Sequence, residues 1–322
     1  MASTKNDVQT SRMGRRVLLL VFFLLLLYVI VPRFGNFSAS FDALGSAQPM
    51  YVLLACLLVV TTYFLAAATY WFVALKPQLA YWRTLSIQAA SAFVNRLLPA
   101  GLGGLTLNVQ YLRKQGYKTA QAAVVAGTNN LLGGAGHLLL LMIVLLLTRN
   151  TSATALRMPD VPHGWLAILI GLGMLAVALV AFKMLRGAIS QTAVQIATYV
   201  AAYRKHPLRL VLGLTTSLLM TSCYALILYV SALSLGAELS LLQVFVIFTV
   251  GVAAATATPT PGGLVGAEAG LTAALVAYGV DGSLALAIAL LYRFLTYWLP
   301  LLPGFVVFVL IRRLYLPIPR KN

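Results

Sequence analysis

Negative charge is scarce in this chain. Six Asp and Glu stand against 23 Lys and Arg in 322 residues, and charged residues of both signs make up only 9%. The six carboxylates, Asp7, Asp42, Asp160, Glu238, Glu268 and Asp281, are far apart in sequence, so no membrane-embedded pair offers acid and base to one reaction. Three His and two Cys leave little for a metal, and Cys56 and Cys223 both fall in apolar runs, where a lone thiol reads as a packing residue. There is no His-Glu-x-x-His, no Gly-x-Ser-x-Gly and no Gly-x-x-x-x-Gly-Lys-Ser/Thr. Zinc hydrolysis, nucleophile-elbow chemistry and transport driven by bound ATP therefore lack their usual residues, and no cofactor is expected.

What the chain has is hydrocarbon. Hydrophobic residues make up 61% and the mean hydropathy is +0.92, far outside the range of soluble domains. The expected fold is an all-α polytopic membrane protein. A helix crossing a hydrocarbon layer of about 30 Å needs about 20 apolar residues. On that ruler, full spans fall near 17–33, 50–75, 119–148, 164–183, 208–236 and 283–312. The basic run before the first span is followed by no small-residue cleavage site, so this span is expected to be uncleaved. Segment 187–206 reads as an interfacial helix. The stretches 84–118 and 241–281 each hold an apolar run, a Pro/Gly break and a second amphipathic run, as re-entrant or short-span hairpins would.

Charge tests this layout, because Lys and Arg collect in short cytoplasmic loops. With both termini cytoplasmic, the clusters at Lys5–Arg16, Arg113–Lys118, Lys183–Arg209 and Arg312–Lys321 all fall inside. Of the 23 basic residues only Arg33, Arg149 and Arg157 are left outside, and Arg96 and Arg293 lie at membrane depth. The net charge of +17 thus needs no nucleic acid to explain it. A single crossing by 84–118 would put Lys183–Arg209 outside. The layout divides the chain into a cytoplasmic tail (1–16), one transmembrane domain (17–315) and a second tail (316–322). Within the domain, repeat one covers about 50–183 and repeat two about 208–312. A shift of 162 lays Leu98-Pro99-Ala100-Gly101 on Thr260-Pro261-Gly262-Gly263, and Thr106 on Glu268. The two units begin from opposite sides, which is an inverted-topology repeat of the kind on which secondary transporters build midplane sites.

Ionisable groups at membrane depth cost at least ~2.5–3.5 kcal/mol each, so they are functional candidates by default. Three qualify: Arg96, Glu268 and Arg293. An arginine offers a planar fork suited to a phosphodiester and stays charged when desolvated, while Glu268 can offset one positive charge in an empty site. The bland alternative is a structural Arg293–Glu268 pair with Arg96 reaching back to the cytoplasmic interface. Asn95, Pro99, Gly101, Gly103 and Gly104 at the first break, and Pro259, Pro261, Gly262, Gly263 and Gly266 at the second, complete a substrate-binding set, with Tyr292 beside Arg293. The glycines let backbone amides at half-helix starts face an anion. Asn108, Thr128, Asn129 and Asn130 near the first break and Thr256, Thr258 and Thr260 near the second add polar groups. Tyr297 and Trp298 read as interface anchors or packing, and His137 as a satisfied histidine.

The run Asn95-Arg96-Leu97-Leu98-Pro99-Ala100-Gly101-Leu102-Gly103-Gly104, then Tyr111-Leu112-Arg113 and Gly116, resembles the lysylphosphatidylglycerol synthase transmembrane (flippase-like) family. So do Pro259-Thr260-Pro261-Gly262-Gly263, Gly266, Glu268 and Leu291-Tyr292-Arg293. The likeness covers roughly residues 15–315, and it departs from the family at Thr106 and Asn108, where acidic or Arg residues are often seen. It implies a translocator that moves an anionic phospholipid or lipid-linked head group between leaflets of a bacterial inner membrane. In full-length relatives an aminoacyl-transfer domain follows the membrane part. The residues here hold only the latter, so synthase activity is not expected of them. Two other readings stay open: a non-transporting partner of a glycosyltransferase or lipid synthase, and an intramembrane lipid transferase.

Overall fold

The computed structural model describes residues 37–75, 78–97, 102–148, 200–258 and 260–315. The expected spans 17–33 and 164–183, most of the interfacial helix 187–206, both tails, and Pro99, Gly101 and Pro259 lie outside the described residues. The described residues form an all-helical integral membrane protein: α1 (Phe37–Gly45), α2 (Pro49–Val73), α3 (Tyr81–Leu97), α4 (Leu102–Lys114), α5 (Thr119–Thr148), α6 (Pro207–Ser234), α7 (Leu241–Ala257), α8 (Gly266–Ala277), α9 (Gly282–Arg293) and α10 (Leu301–Tyr315). A 3₁₀ turn at Pro261–Gly263 separates α7 from α8, and a π turn at Phe294–Trp298 joins α9 to α10.

Four of these stretches are long and apolar enough to cross a membrane: Pro49–Val73, Thr119–Ile143, Pro207–Ser234 and Gly282–Ile311. They coincide with the four expected spans that fall on described residues. Only 22–33% of each apolar window is buried. Leu53, Leu57, Leu131, Leu302 and Leu310 point outward instead, as helices facing lipid must. Between the long helices, α3 and α4 have 17 and 13 residues, and α7 and α8 have 17 and 12. At 1.5 Å per residue the second arms are roughly 18–20 Å long, too short to cross.

The interior has two apolar clusters, one toward each end of the bundle. One gathers Ile227, Leu228, Ile247, Leu275 and Ile288 where α6, α7, α8 and α9 meet. The other gathers Tyr70, Val73, Ile87, Leu112, Tyr117 and Tyr203. At the first end the Gln48 amide donates to Ser234 O (2.9 Å) and Ser40 Oγ to Ser283 O (3.0 Å), which brings Asp42, Glu238 and Asp281 together there. The Asp281 carboxylate caps α9, accepting from the Ser283 and Leu284 amides, and these bonds hold its carboxyl below the ordinary value. At the opposite end Tyr203 Oη donates to Val73 O and Arg209 to Ala74 O, both at 2.8 Å, beside the Arg113–Lys118 turn. Positive and negative charge therefore sit at opposite ends of the described bundle. Helix α1, for which the sequence pattern gave no signal, packs on α9.

The arms α7 and α8 lie so close that each glycine at their crossing faces a side chain of the other arm. A Cβ on Gly270 would overlap Ala254, and one on Gly251 would overlap Leu271. We expect Gly270→Val to cost about 1–3 kcal/mol by overpacking, read as a lowered midpoint of thermal unfolding in detergent. An unchanged midpoint would mean that the arms do not meet there.

Candidate functional site

The second break is built by backbone that glycine permits. Gly262 and Gly263 hold φ of 62° and 64°, and a Cβ on Gly262 would strike the Tyr297 ring. Val265 follows at φ 71°, a left-handed conformation that costs a β-branched residue on the order of 1–3 kcal/mol. It is held there as the cap of α8, where its carbonyl accepts from the Ala269 amide at 2.9 Å. The threonines close the break on itself: Thr258 Oγ1 donates to Ala254 O and Thr260 Oγ1 to Leu264 O, both at 2.8 Å. They face its own carbonyls rather than a ligand. What the break presents toward α9 is the Gly262 carbonyl and, one turn into α8, Glu268.

Arg293 takes both. Its Nε donates to Glu268 Oε1 at 2.7 Å and its Nη2 to Gly262 O at 3.0 Å. The side chains are 11% and 17% exposed, so water screens the pair little. Glu268 Oε2 is buried and has no partner among the described residues. The π turn that follows Arg293 turns Tyr297 inward, with the Arg293 guanidinium carbon 4.6 Å from the ring centre and that of Arg96 5.9 Å away. Tyr297 Oη donates to Arg96 O at 3.0 Å. Three residues after Tyr297 stands Pro300, which has no N–H to give the Thr296 carbonyl four residues before it. Arg96 Nη2 supplies a donor to that carbonyl at 2.6 Å, and its Nη1 donates to Ala92 O at 2.8 Å. Arg96 thus reaches across to the other half of the chain instead of back to the interface. Two guanidinium charges against one carboxylate leave the cluster with a net single positive charge.

On the α3–α4 side the polar groups are amides. Asn95 Oδ1 accepts from the Gly104 amide at 2.6 Å, filling the start of α4 that was expected to face an anion. Asn108 accepts from Gln88 Nε2 at 2.8 Å and donates to Ser91 Oγ at 3.0 Å and Gly104 O at 2.8 Å. Beside this network lies a cavity of about 150 Å³, also lined by Tyr63, Asn129 and Asn130.

A family model described as lysylphosphatidylglycerol synthase TM region matches residues 16–304, most of the chain and both breaks. The chain belongs to this family. No curated protein matches it. In this lysylphosphatidylglycerol synthase TM region the structure joins Arg293, Glu268 and Gly262 directly, with Arg96 beside them across Tyr297. Pro261, Gly263 and Gly266 shape the turn, and Gly266 passes against Thr258 with no room for a Cβ. Asn95 and Gly104 belong to the amide side, and Gly103 is buried in the first turn of α4. Tyr292 turns into the apolar cluster, beside Tyr224 and within electrostatic reach of Arg293. His137 Nδ1 lies 3.1 Å from Thr221 Oγ1 and 3.3 Å from Gly133 O, so a proton on that nitrogen is shared between the two. Two participants escaped the sequence reading, Thr296 and Tyr63, the latter within electrostatic reach of Arg96, while Tyr297, read there as an interface anchor or packing residue, lies between the two arginines. The signal for Thr296 was present, since a proline in a helix frees the carbonyl four residues earlier.

Removing one partner of the Arg293–Glu268 pair leaves a charge without compensation in a low-dielectric site. Glu268→Ala and Arg293→Ala should each cost about 3 kcal/mol, and the double variant at least ~1 kcal/mol less than their sum. A thermodynamic cycle in detergent measures this; additive losses would mean the two residues do not act as a pair.

Proposed function

We propose that the chain translocates an anionic phospholipid or lipid-linked head group between leaflets, with the phosphate received at the Arg96–Tyr297–Arg293 cluster. The observation that carries this reading is that cluster: a net positive charge enclosed between the two ends of the bundle, made by residues from both halves. A phosphodiester carries one negative charge and suits two guanidinium forks. Glu268 Oε2, without a described partner, is the oxygen on which a coupling proton would rest. In the empty site Glu268 occupies Arg293; a head group would compete for it.

The pathway follows from reading the two halves as inverted repeats. Helices α2 to α5 have 25, 17, 13 and 30 residues. Their counterparts α6, α7, α8 and the apolar stretch Gly282–Ile311 have 28, 17, 12 and 30. Each short second arm ends on a left-handed glycine, Gly116 at φ 92° and Gly279 at φ 88°. The next amide then returns to a carbonyl five residues back, Tyr117 to Leu112 and Val280 to Leu275. The first of these turns lies at the basic end and the second at the acidic end. Packing is exchanged in the same sense, α3 against α10 and α7 against α5. In this reading both broken hairpins re-enter, the basic end is cytoplasmic, and transport is the rocking of one repeat against the other.

Leaflet sidedness of a fluorescent anionic phospholipid in proteoliposomes, read by a membrane-impermeant quencher, tests the proposal. The wild-type protein should speed exchange well above that of empty liposomes, and an Arg293→Ala, Glu268→Ala double variant should bring it back toward that baseline. Exchange no faster than in empty liposomes would contradict translocation; wild-type exchange by the double variant would contradict the site.

A further inference from the structure

One face of α5 differs from the outward faces of its neighbours. Where α2 and α10 turn outward they show large apolar side chains, Leu53, Leu57 and Phe64 on one and Leu302, Phe305 and Leu310 on the other. The far half of α5 does the same with Leu138, Met142 and Leu146. Its half toward the basic end does not. There Ala123, Asn130 and Gly134 are exposed and share an arc of about 60° with Gly127, with Leu131 at its edge. A Cβ on Gly127 or Gly134 would meet nothing within 4 Å. Asn130 has no hydrogen-bond partner among the described residues. Small residues offer lipid tails little to pack on, and an amide facing hydrocarbon goes unsatisfied. Together they mark a face where another helix approaches closely and bonds the amide.

The course of the chain says which helix that is. Helix α5 starts at the basic end with Thr119 and reaches Thr148 at the far end, and the described residues resume at Val200. Tyr203 then joins the apolar cluster that holds Ala122 and Val125, at the basic end of α5. Residues 149–199 thus begin beside one end of α5 and finish beside the other, and they contain the expected span 164–183. A single crossing between short connections lies antiparallel to its neighbour in sequence. The bilayer sets the register, because spans centred in one hydrocarbon layer have their midpoints level. Leu131 is the middle of the apolar stretch Thr119–Ile143, and the middle of 164–183 falls between Gly173 and Met174. Counted in opposite directions from there, Gly134 comes level with Gly171 and Gly127 with Ala178. Each of these pairs of small residues, Gly127 with Gly134 and Gly171 with Ala178, is spaced by about two helical turns and so keeps to one face.

We propose that the span 164–183 docks antiparallel on this face of α5, Gly171 against Gly134 and Ala178 against Gly127, and that Asn130 bonds a backbone carbonyl bared by the close approach. A second copy of the chain is the rival occupant of such a face, but it would have to displace a span tethered to both ends of α5.

Disulfide trapping in the full chain tests this. Cys56→Ser and Cys223→Ser remove both native thiols. In that background Gly134→Cys with Gly171→Cys, and Gly127→Cys with Ala178→Cys, are oxidised by copper phenanthroline in native membranes, and a protease site placed within 149–163 then cuts the connection. Both pairs should hold the two fragments together on a gel until reductant is added. Leu53→Cys with Gly171→Cys, its first thiol on the outward face of α2, should let them part. A product of twice the chain's mass in place of the internal link would overturn the proposal in favour of a second copy. Parting of the fragments for both pairs, and for pairs displaced by one turn along 164–183, would overturn it in favour of lipid. Thermal unfolding in detergent checks the face without any cross-link. The described residues leave room for a side chain at Gly127 and Gly134, and leucine is a better helix former than glycine. On a lipid-facing surface Gly127→Leu or Gly134→Leu would therefore leave the midpoint unchanged or raise it. Under a docked helix each should lower it by a few degrees through overpacking, and a midpoint lowered by neither would overturn the proposal.

Discussion

A backbone carbonyl inside a bilayer must find a donor, and this molecule has broken its helices where water cannot supply one. Pro300 removes the donor for Thr296, and the Pro261–Gly263 turn leaves the Gly262 carbonyl facing inward. Arginine answers both: Arg96 at Thr296 and Arg293 at Gly262. The cost of placing two guanidiniums in an apolar interior is met in part by the carbonyls they satisfy, in part by Glu268, and in part by the Tyr297 ring that lies beside both. None of these groups is supportable alone. A carbonyl without its arginine, or an arginine without its carbonyl and ring, would be an uncompensated polar group between two apolar clusters. The same constraint explains why Arg96 crosses to the other half of the chain, because the carbonyl that needs it is there.

Once those bonds are made, the two halves are tied at one place by polar groups and elsewhere by apolar contact. The Arg96 contacts join α3 to the π turn, and the Glu268–Arg293 pair joins α8 to the end of α9. Each bond is made to a helix that is interrupted, so small rotations of an arm can exchange one donor for another. A phosphate oxygen is a competing acceptor of the same kind as a carbonyl or carboxylate. In the proposed reading, a cluster that satisfies its own breaks when empty would in this way release donors to a lipid without exposing an unpaired charge.

Hydropathy and the Pro/Gly breaks made much of this legible. The four described spans and the second break lie where 20-residue apolar runs and the Pro261 motif place them, and Arg96, Glu268 and Arg293 stand out because ionisable groups are so rare in such runs. Partnerships were harder to see. That Arg96 bonds Thr296, 200 positions away, depends on how α3 packs on α10, and no periodicity within either helix encodes it. Tyr297 has the sequence setting of an interfacial anchor, next to Trp298 near a proline, and only the π turn brings its ring between the arginines. Asn95 illustrates the opposite case. Its type suggests a ligand, yet its oxygen serves the Gly104 amide. Short polar side chains near helix starts compete for local backbone as readily as for substrate.

The central claim is that the Arg96–Tyr297–Arg293 cluster receives the phosphate of a lipid head group. Cryo-electron microscopy of the protein in nanodiscs of anionic phospholipid tests it most directly. The account predicts phosphate density within hydrogen-bonding distance of Arg96 or Arg293, with acyl chains leaving between the helices toward the bilayer. A closed, lipid-free interior with Arg96 still on Thr296 and Arg293 still on Glu268 and Gly262, under saturating lipid, would contradict it.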